Sequence, residues 1–161
     1  MDNLTLIAAI GNNNELGYQN KLIWHLKGDM KFFKDNTYGK PILMGIKTLY
    51  SLPKLLPGRE HIVLTHQDIE IEGVKVFHEK SELLDYIRNL NREVMVIGGA
   101  SIYQQFIHEA DKMLLTEIEA TSYADVYFPK IDALEWDVRE LKRVKENNIA
   151  YTHVEYKRRK M

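Results

Sequence analysis

The chain has 161 residues, 45% hydrophobic and 28% charged, an ordinary composition for one globular domain, and we expect residues 1–161 to form a single domain. Its net charge of −1 gives no electrostatic reason to expect a nucleic-acid partner. Cysteine is absent, which excludes disulfides, thiol nucleophiles and Cys-ligated metals and suits a reducing compartment. We find no basic leader and no apolar run of membrane length, so we expect a cytoplasmic protein without membrane contact.

Short apolar runs alternate with helical patterns along most of the chain. An apolar strand at residues 4–10 is followed by a loop over residues 12–24, which is long enough to suggest a functional lid. Further apolar runs predict strands at residues 41–44, 61–64, 74–77, 94–97 and 114–116. Helices are predicted around Asp29, after Gly45, from an N-cap at Ser81, and after Gly99.

The end of the chain has a different pattern. Residues 136–141 and 151–156 alternate between apolar and polar and flank a polar turn at 145–148, which predicts an antiparallel hairpin. The whole pattern predicts an α/β fold: a mostly parallel central sheet with helices on both faces and an antiparallel C-terminal hairpin. Ligands of such sheets collect at the carboxyl ends of the strands.

A carboxylate lies on the apolar side of the first predicted helix. At helical spacing Leu26, Met30, Phe33 and Thr37 share one face, and Asp29 lies beside Leu26 and Phe33. Burying an unpaired carboxylate costs several kcal/mol or raises its pKa, and this is tolerated most readily where a ligand donates hydrogen bonds to it. Alternatively, Asp29 caps the free N–H groups at the start of the helix. The segment alone leaves both interpretations open.

Two strand-to-helix turns contain glycines typical of phosphate binding, at residues 44–48 and 97–101. Either one alone is also compatible with ordinary turn chemistry, because neither completes a P-loop or a dinucleotide fingerprint. Two such turns in one small sheet favour a ligand with separated phosphates, such as a dinucleotide.

Arg59 follows a turn at residues 57–58 and suits a bidentate grip on a carboxylate, although a solvated surface Arg fits the sequence as well. The six histidines show no metal-ligand spacing, so we predict no metal site. A hydrolase is disfavoured, because no Gly-x-Ser-x-Gly elbow occurs and Asp29 has no obvious partner acid. A single acid, apolar side chains around it and two glycine turns that suit phosphates are compatible with a site in which a bound redox cofactor supplies the chemistry.

The chain resembles dihydrofolate reductases of the bacterial chromosomal type from end to end. The motifs that carry the resemblance are residues 6–9, 16–17, Asn20, 22–24 with Asp29 and Phe33, 41–45, 56–59, 96–99 with Ile102 and Tyr103, 115–116, and 128–129. Their order and spacing are specific, and they favour a functional Asp29. The resemblance implies reduction of 7,8-dihydrofolate to tetrahydrofolate by hydride transfer from NADPH, in the service of one-carbon metabolism. It also implies binding of antifolate inhibitors.

The resemblance implies a substrate site centred on Asp29, which would receive the pterin's amino group and ring N–H, with Thr116 supporting it through a water. Arg59 would bind the glutamate α-carboxylate. The other substrate-binding residues that the resemblance implies are Ile7, Ala8, Met30, Phe33, Lys54, Leu56 and Ile97. Residues 12–24 would form the lid, with Leu22 closing over the nicotinamide and Trp24 ordering a water.

The resemblance also implies an NADPH site at the two glycine turns, with a cis peptide between Gly98 and Gly99 and with Tyr103 beside the nicotinamide. The implied cofactor-binding residues are Ala9, Leu16, Gly17, Asn20, Leu22, Gly45, Ile46, Lys47, Thr48, Leu64, Thr65, His66, Ile97, Gly98, Gly99, Ala100, Ser101, Ile102 and Tyr103.

The chain departs from the family pattern at several positions. Ile46 stands where a basic residue often contacts the 2′-phosphate, so we expect weaker discrimination between NADPH and NADH, with Lys47, Thr65 and His66 as the remaining candidates. Ile23 stands where Pro commonly precedes the Trp, so the lid lacks a fixed φ. Ala100 replaces a usual third glycine and Leu49 a usual aromatic residue.

Two other functions remain open. A related reductase of the riboflavin pathway shares the fold but acts on a phosphorylated pyrimidine, and the pairing of Asp29 with Arg59 disfavours it. A catalytically silent pterin- or nucleotide-binding module would not need Leu22, Trp24 and Tyr103 together. We expect a monomer, because no exposed apolar helix suggests a partner.

Overall fold

The computed structural model describes residues 1–19 and 21–160. Its elements in chain order are β1 Leu4–Ile10, β2 Glu15–Tyr18, β3 Lys21–Leu22, α1 Lys27–Thr37, β4 Ile42–Gly45, α2 Ile46–Ser51, β5 His61–Leu64, β6 Val74–Phe77, α3 Lys80–Leu90, β7 Val94–Gly98, α4 Ala100–Phe106, β8 Lys112–Ile118, β9 Val126–Tyr127, a 3-10 turn at Ala133–Glu135, β10 Trp136–Glu146 and β11 Ile149–Arg158.

Eight strands form the central sheet, in the order β10-β11-β8-β1-β7-β4-β5-β6. The strands from β8 to β6 pair in parallel, and β11 pairs antiparallel with both β8 and β10. Strands β4 and β5 are almost wholly buried, which is why their sequences are continuously apolar rather than alternating. The predicted α/β class with an antiparallel C-terminal edge is confirmed.

Helices cover both faces of the sheet. Successive strand residues point to opposite sides, so neighbours in one strand belong to different core clusters. Leu43 belongs to a core cluster that includes residues of α3 and α4. Its neighbours Ile42 and Met44 belong to a second cluster, which residues of α1 and α2 cover. Helix α1, which carries Asp29, is thus held against the same face of the sheet as α2.

The segment at residues 12–24 differs from the predicted open loop. Strand β2 pairs with β3 on one side and with the distant β9 on the other, in a separate three-stranded sheet. The strands β3 and β9 have only two residues each, both exposed, so they carry no apolar alternation that a sequence could show. Asn20, a predicted cofactor residue, lies outside the described residues.

Two further boundaries differ from prediction. Helix α3 begins at Lys80 with Glu79 at its N-cap, so the predicted cap at Ser81 is wrong, and Ser81 lies within the first turn. The C-terminal strands are longer than predicted and meet at Asn147 and Asn148, whose φ angles are 53° and 62°. Consecutive left-handed residues suit a two-residue hairpin turn, and Asn tolerates that conformation.

Among the described residues no helix is both long and apolar enough to cross a bilayer.

Candidate active site

Asp29 lies in the first turn of α1, with its side chain 23% exposed. The Thr116 hydroxyl on β8 donates a hydrogen bond of 2.5 Å to Asp29 Oδ1. This contact is direct, whereas the resemblance implied a bridging water. Burial raises the pKa of Asp29 above its usual range, the Thr116 hydrogen bond partly offsets this, and the charge of Glu146 adds to the rise.

Glu146, rather than Asp29, satisfies the N–H groups at the start of α1. Leu26 occupies the N-cap position and makes no side-chain cap. The Glu146 carboxylate accepts hydrogen bonds from the N–H groups of Lys27 at 2.6 Å and Gly28 at 3.0 Å, and from the Tyr151 hydroxyl at 3.0 Å. The capping alternative for Asp29 is therefore wrong, and its carboxylate remains available to a ligand. Glu146 is 119 residues away from Lys27, so no local pattern reveals this cap.

We expect Glu146→Gln to lower the Tm by a few degrees at neutral pH, because an amide is a weaker acceptor for two helix N–H groups. The N–H groups of Gly28 and Lys27 hold the pKa of Glu146 below its usual range. The stability that Glu146 contributes is thus present above the ordinary carboxyl pKa and is lost as the pH falls through the lowered pKa. Thermal unfolding followed by circular dichroism at several pH values checks this.

A matched control is Glu140→Gln, which changes an exposed acid on the same strand. The Tm difference between Glu146→Gln and the parent should close in acid. An unchanged Tm at neutral pH, or an equal loss at every pH, would contradict the capping role.

The parallel strands place the predicted site residues along one edge of the sheet. Strand β4 ends at Gly45, opposite Leu64 of β5, and the neighbouring strand β7 ends at Gly98. Thr116 lies opposite Ala9 near the carboxyl end of β1. These are the carboxyl ends of parallel strands, where ligands of α/β sheets bind.

The two glycine turns, predicted separately, lie side by side at this edge. Gly45 and Gly99 occupy the N-caps of α2 and α4, and neither helix has a side-chain cap. A Cβ built on Gly99 would lie 3.5 Å from the Thr48 hydroxyl oxygen, so the turns face each other closely. The peptide between Gly98 and Gly99 is cis, as the resemblance implied. The paired turns fit a cofactor with two phosphates between them.

Tyr103 connects the second turn to β1. Its hydroxyl donates a buried hydrogen bond of 2.7 Å to the Ile7 carbonyl. A Cβ on Gly98 would lie 3.5 Å from the Tyr103 ring, so ring and turn are in contact. Burial raises the pKa of Tyr103 well above its usual range, which keeps the hydroxyl protonated as a donor.

Arg59 has a hydrogen-bonding atom without a partner among the described residues, its buried Nε. Its guanidinium lies 5.6 Å from the Tyr38 ring centre. The preceding Gly58 has φ +75°, and a Cβ there would lie 2.6 Å from the same ring, so only glycine allows this close approach. His61 fixes the loop, because its Nε2 accepts from the Leu56 N–H at 2.9 Å and its Nδ1 donates to the Arg59 carbonyl at 3.0 Å. A buried, unpaired Arg nitrogen suits an incoming carboxylate.

The apolar wall differs in part from prediction. Phe33 and Leu56 are half-buried and pack against the cluster that contains Ile7. Met30, predicted as part of this wall, is 60% exposed, although Leu26 and Thr37 on the same helical face are buried. Met30 and the exposed Lys54 therefore do not pack into the core.

The predicted lid residues occupy two different environments. Leu22 on β3 is 64% exposed. Trp24 is partly buried and packs on a small cluster that includes Leu26 and Ile118. The remaining predicted cofactor residues lie on or directly after β1, β2, β5, β7 and α4, and they are Ala9, Leu16, Gly17, Leu64, Thr65, His66, Ile97, Ala100, Ser101 and Ile102.

A family model described as dihydrofolate reductase matches residues 3–158. The dihydrofolate reductase of Haemophilus influenzae is 37% identical over 146 residues, covering 89% of this chain and 91% of that protein. That of Neisseria gonorrhoeae is 38% identical over 157 residues, covering 95% and 96%. A solved structure of dihydrofolate reductase from Enterococcus faecalis, complexed with NADP(H) and RAB-propyl, superposes with a TM-score of 0.86 at 32% identity, covering 98% of this chain and 96% of that chain.

Proposed function

The chain belongs to the dihydrofolate reductase family, and we infer that it reduces 7,8-dihydrofolate to 5,6,7,8-tetrahydrofolate by hydride transfer from NADPH. The observation that carries this most directly is the arrangement at one sheet edge. The carboxylate of Asp29, which does not cap its own helix, shares that edge with two facing glycine turns. The carboxylate suits the N–H donors of a pterin, and the turns suit a dinucleotide.

We propose that Asp29 holds the pterin by accepting hydrogen bonds from its amino group and a ring N–H. Reduction of the 5,6 double bond requires a hydride at C6 and a proton at N5. A carboxylate that binds the far side of the ring raises the basicity of N5, which then takes its proton from water. The direct Thr116 hydrogen bond holds Asp29 in position for this role.

We propose that Arg59 binds the glutamate α-carboxylate through its unpaired edge, and that Ile7, Phe33 and Leu56 contact the pterin and benzoyl rings. Ala8, Met30, Lys54 and Ile97 complete the proposed substrate contacts. The support for Arg59 is its buried Nε, which has no hydrogen-bond partner among the described residues. Met30 and Lys54 are exposed, so they would contact the tail at the rim of the site.

When bound, NADPH supplies the hydride. The proposed role of the glycine turns is to offer the uncapped N–H groups of α2 and α4 to the cofactor phosphates. Tyr103 lies against Gly98 and borders the nicotinamide. The exposed Leu22 covers it when the lid closes and excludes water from the reacting atoms.

The function is tested by following NADPH absorbance after adding purified protein to either of two substrates. Dihydrofolate should be reduced, and the phosphorylated pyrimidine of the riboflavin pathway should not. If only the pyrimidine is turned over, the protein is the related reductase of the riboflavin pathway and not a dihydrofolate reductase. Cofactor binding without turnover of either would indicate a silent binding module.

Cofactor preference should be weak, with kcat/KM for NADPH exceeding that for NADH by less than about a thousandfold, roughly 4 kcal/mol. Ile46 carries no charge and packs its side chain against the core cluster. Lys47 and His66 are exposed near the ends of the adjacent strands β4 and β5, and we propose them as 2′-phosphate contacts.

Steady-state kinetics with both cofactors measures this ratio, and a preference above a thousandfold would contradict the prediction. Ile46→Arg should increase the ratio about tenfold by adding a charged hydrogen-bond donor, while Ile46→Met should leave it unchanged.

We further propose that the product serves one-carbon metabolism, that antifolate inhibitors bind in the substrate site, and that the enzyme is a cytoplasmic monomer. The Enterococcus faecalis relative, complexed with RAB-propyl as well as NADP(H), supports a site that accepts other ligands. Sedimentation velocity tests the oligomeric state.

A further inference from the structure

A buried histidine lies directly behind the substrate carboxylate. His153 on β11 is 4% exposed and sits opposite Thr116 in the register of β11 and β8. Its Nδ1 is 2.9 Å from the Thr116 hydroxyl oxygen, and that hydroxyl also contacts Asp29 Oδ1. The three side chains form a continuous hydrogen-bonded chain that ends at the proposed pterin-binding atom.

Aromatic neighbours fix the orientation of the His153 ring. Phe32 stacks on it with ring centres 3.8 Å apart and an interplanar angle of 7°. Tyr151 packs edge-on at 5.4 Å. Phe32 is on α1, the helix that carries Asp29, so the stack also ties this helix to β11.

The number of available protons decides which group donates in each of these two hydrogen bonds. The Thr116 hydroxyl has a single hydrogen, and an ionised Asp29 has none to donate. With Asp29 ionised, both hydrogen bonds therefore form only if Thr116 donates to Asp29 and His153 donates through a protonated Nδ1. With Asp29 protonated, the chain can reverse, because Asp29 then donates to Thr116, Thr116 donates to a bare Nδ1, and the ring proton sits on Nε2.

We propose that His153 is a positioning residue whose Nδ1–H directs the Thr116 hydroxyl onto the ionised carboxylate of Asp29. This inference rests on the function proposed above. It assigns to His153 a contribution to the pH range of the reaction, made through Thr116 and without contact with the substrate.

The charges around His153 favour its action as a neutral donor. Asp29 Oδ1 lies 3.9 Å from Nδ1, and Lys142 lies opposite His153 on β10. Glu146 lies beyond, where its charge acts on Asp29, and the Tyr151 hydroxyl is bonded to it. Burial, reinforced by the charge of Lys142, lowers the pKa of His153, so we expect the neutral ring at working pH.

Two substitutions separate the hydrogen bond from the ring stack. His153→Phe keeps the stack on Phe32 but removes the N–H. His153→Asn loses the ring but keeps an N–H donor at the corresponding position. Without the donor, the Thr116 hydroxyl can turn and accept a proton from neutral Asp29, which raises the pKa of Asp29.

The readout is the pH profile of the single-turnover rate, which falls at high pH because N5 must take up a proton. An ionised Asp29 that has lost its supporting donor is a more basic carboxylate, which in turn makes N5 more basic, so the midpoint of this fall rises with the pKa of Asp29. We expect His153→Phe to shift the midpoint upward by about half a pH unit, as for loss of one modest hydrogen bond. His153→Asn should keep the parent midpoint even if its rate and Tm decrease. An unshifted Phe variant, or equal shifts in both variants, would overturn the proposal.

A second measurement needs neither turnover nor a variant. The ¹⁵N chemical shifts of His153 in the ligand-free protein report which ring nitrogen carries the proton. We expect a protonated Nδ1 and a bare Nε2 above the titration of Asp29. A proton on Nε2 at every pH would overturn the inference. Since this result does not depend on activity, it distinguishes failure of the inference from failure of the proposed function.

Discussion

Asp29→Asn should lower kcat/KM for dihydrofolate by about a hundredfold or more, about 2.7 kcal/mol of lost transition-state stabilisation. The amide keeps the size of the side chain but removes the negative charge that raises the basicity of N5. It also presents an N–H group to a pterin donor. Helix α1 should form as before, because Glu146 rather than Asp29 caps it.

The matched control is Asp35→Asn on the same helix, an exposed acid that pairs with Lys31 at 2.6 Å and lies outside the site. Its kcat/KM should match that of the parent. NADPH affinity, measured by fluorescence titration, should be unchanged in both variants. An Asp29→Asn variant that retains more than about a tenth of the parent kcat/KM would remove Asp29 from the central role.

Arg59→Gln should raise KM for dihydrofolate about tenfold to a hundredfold while kcat changes little, because a charge-assisted bidentate contact is worth about 1.5–3 kcal/mol. The lost contact is to the glutamate tail, which is remote from the reacting atoms, so binding suffers more than chemistry. A dihydropteridine that lacks the glutamate should therefore be reduced equally by the variant and the parent.

Arg88→Gln provides the control, since Arg88 is exposed on α3 and pairs with Asp85 at 2.8 Å. Its KM and kcat should match those of the parent for both dihydrofolate and the dihydropteridine that lacks the glutamate. Equal losses for dihydrofolate and for the tail-less substrate would show that Arg59 supports the loop rather than the carboxylate. Its stacking near Tyr38 and the His61 contact to its carbonyl make that alternative worth measuring.

The parts of the fold that sequence predicts are those with an uninterrupted local signal. Strands β5 and β6 were predicted with their observed bounds. Strand β5 is buried throughout and stops at a polar turn, and the edge strand β6 alternates around its exposed Lys75. The two glycine turns were also predicted, and the parallel topology then brings them together.

The parts that sequence misses depend on contacts between distant residues. The small sheet of β2, β3 and β9 joins residues more than 100 positions apart through backbone hydrogen bonds, which leave no pattern in the side chains. Glu146 and His153 carry no local motif either. His153 is identifiable only through its register opposite Thr116, which requires the pairing of β8 with β11.

The site itself was predicted unevenly. The residues alone identified Asp29 as anomalous but left capping open, and only the long-range contact from Glu146 decides the matter. Met30 shares a helical face with the buried Leu26 and Thr37 but is itself 60% exposed, a difference that helical spacing alone does not show.

The most direct test of the central claim follows the hydride itself. NADPH deuterated at both C4 positions of the nicotinamide is mixed with dihydrofolate and excess protein, and the product is analysed by mass spectrometry and NMR. The proposed reaction predicts tetrahydrofolate with one deuterium, at C6, in an amount equal to the cofactor oxidised. Cofactor oxidation without labelled tetrahydrofolate, or no oxidation in the presence of both ligands, would contradict it.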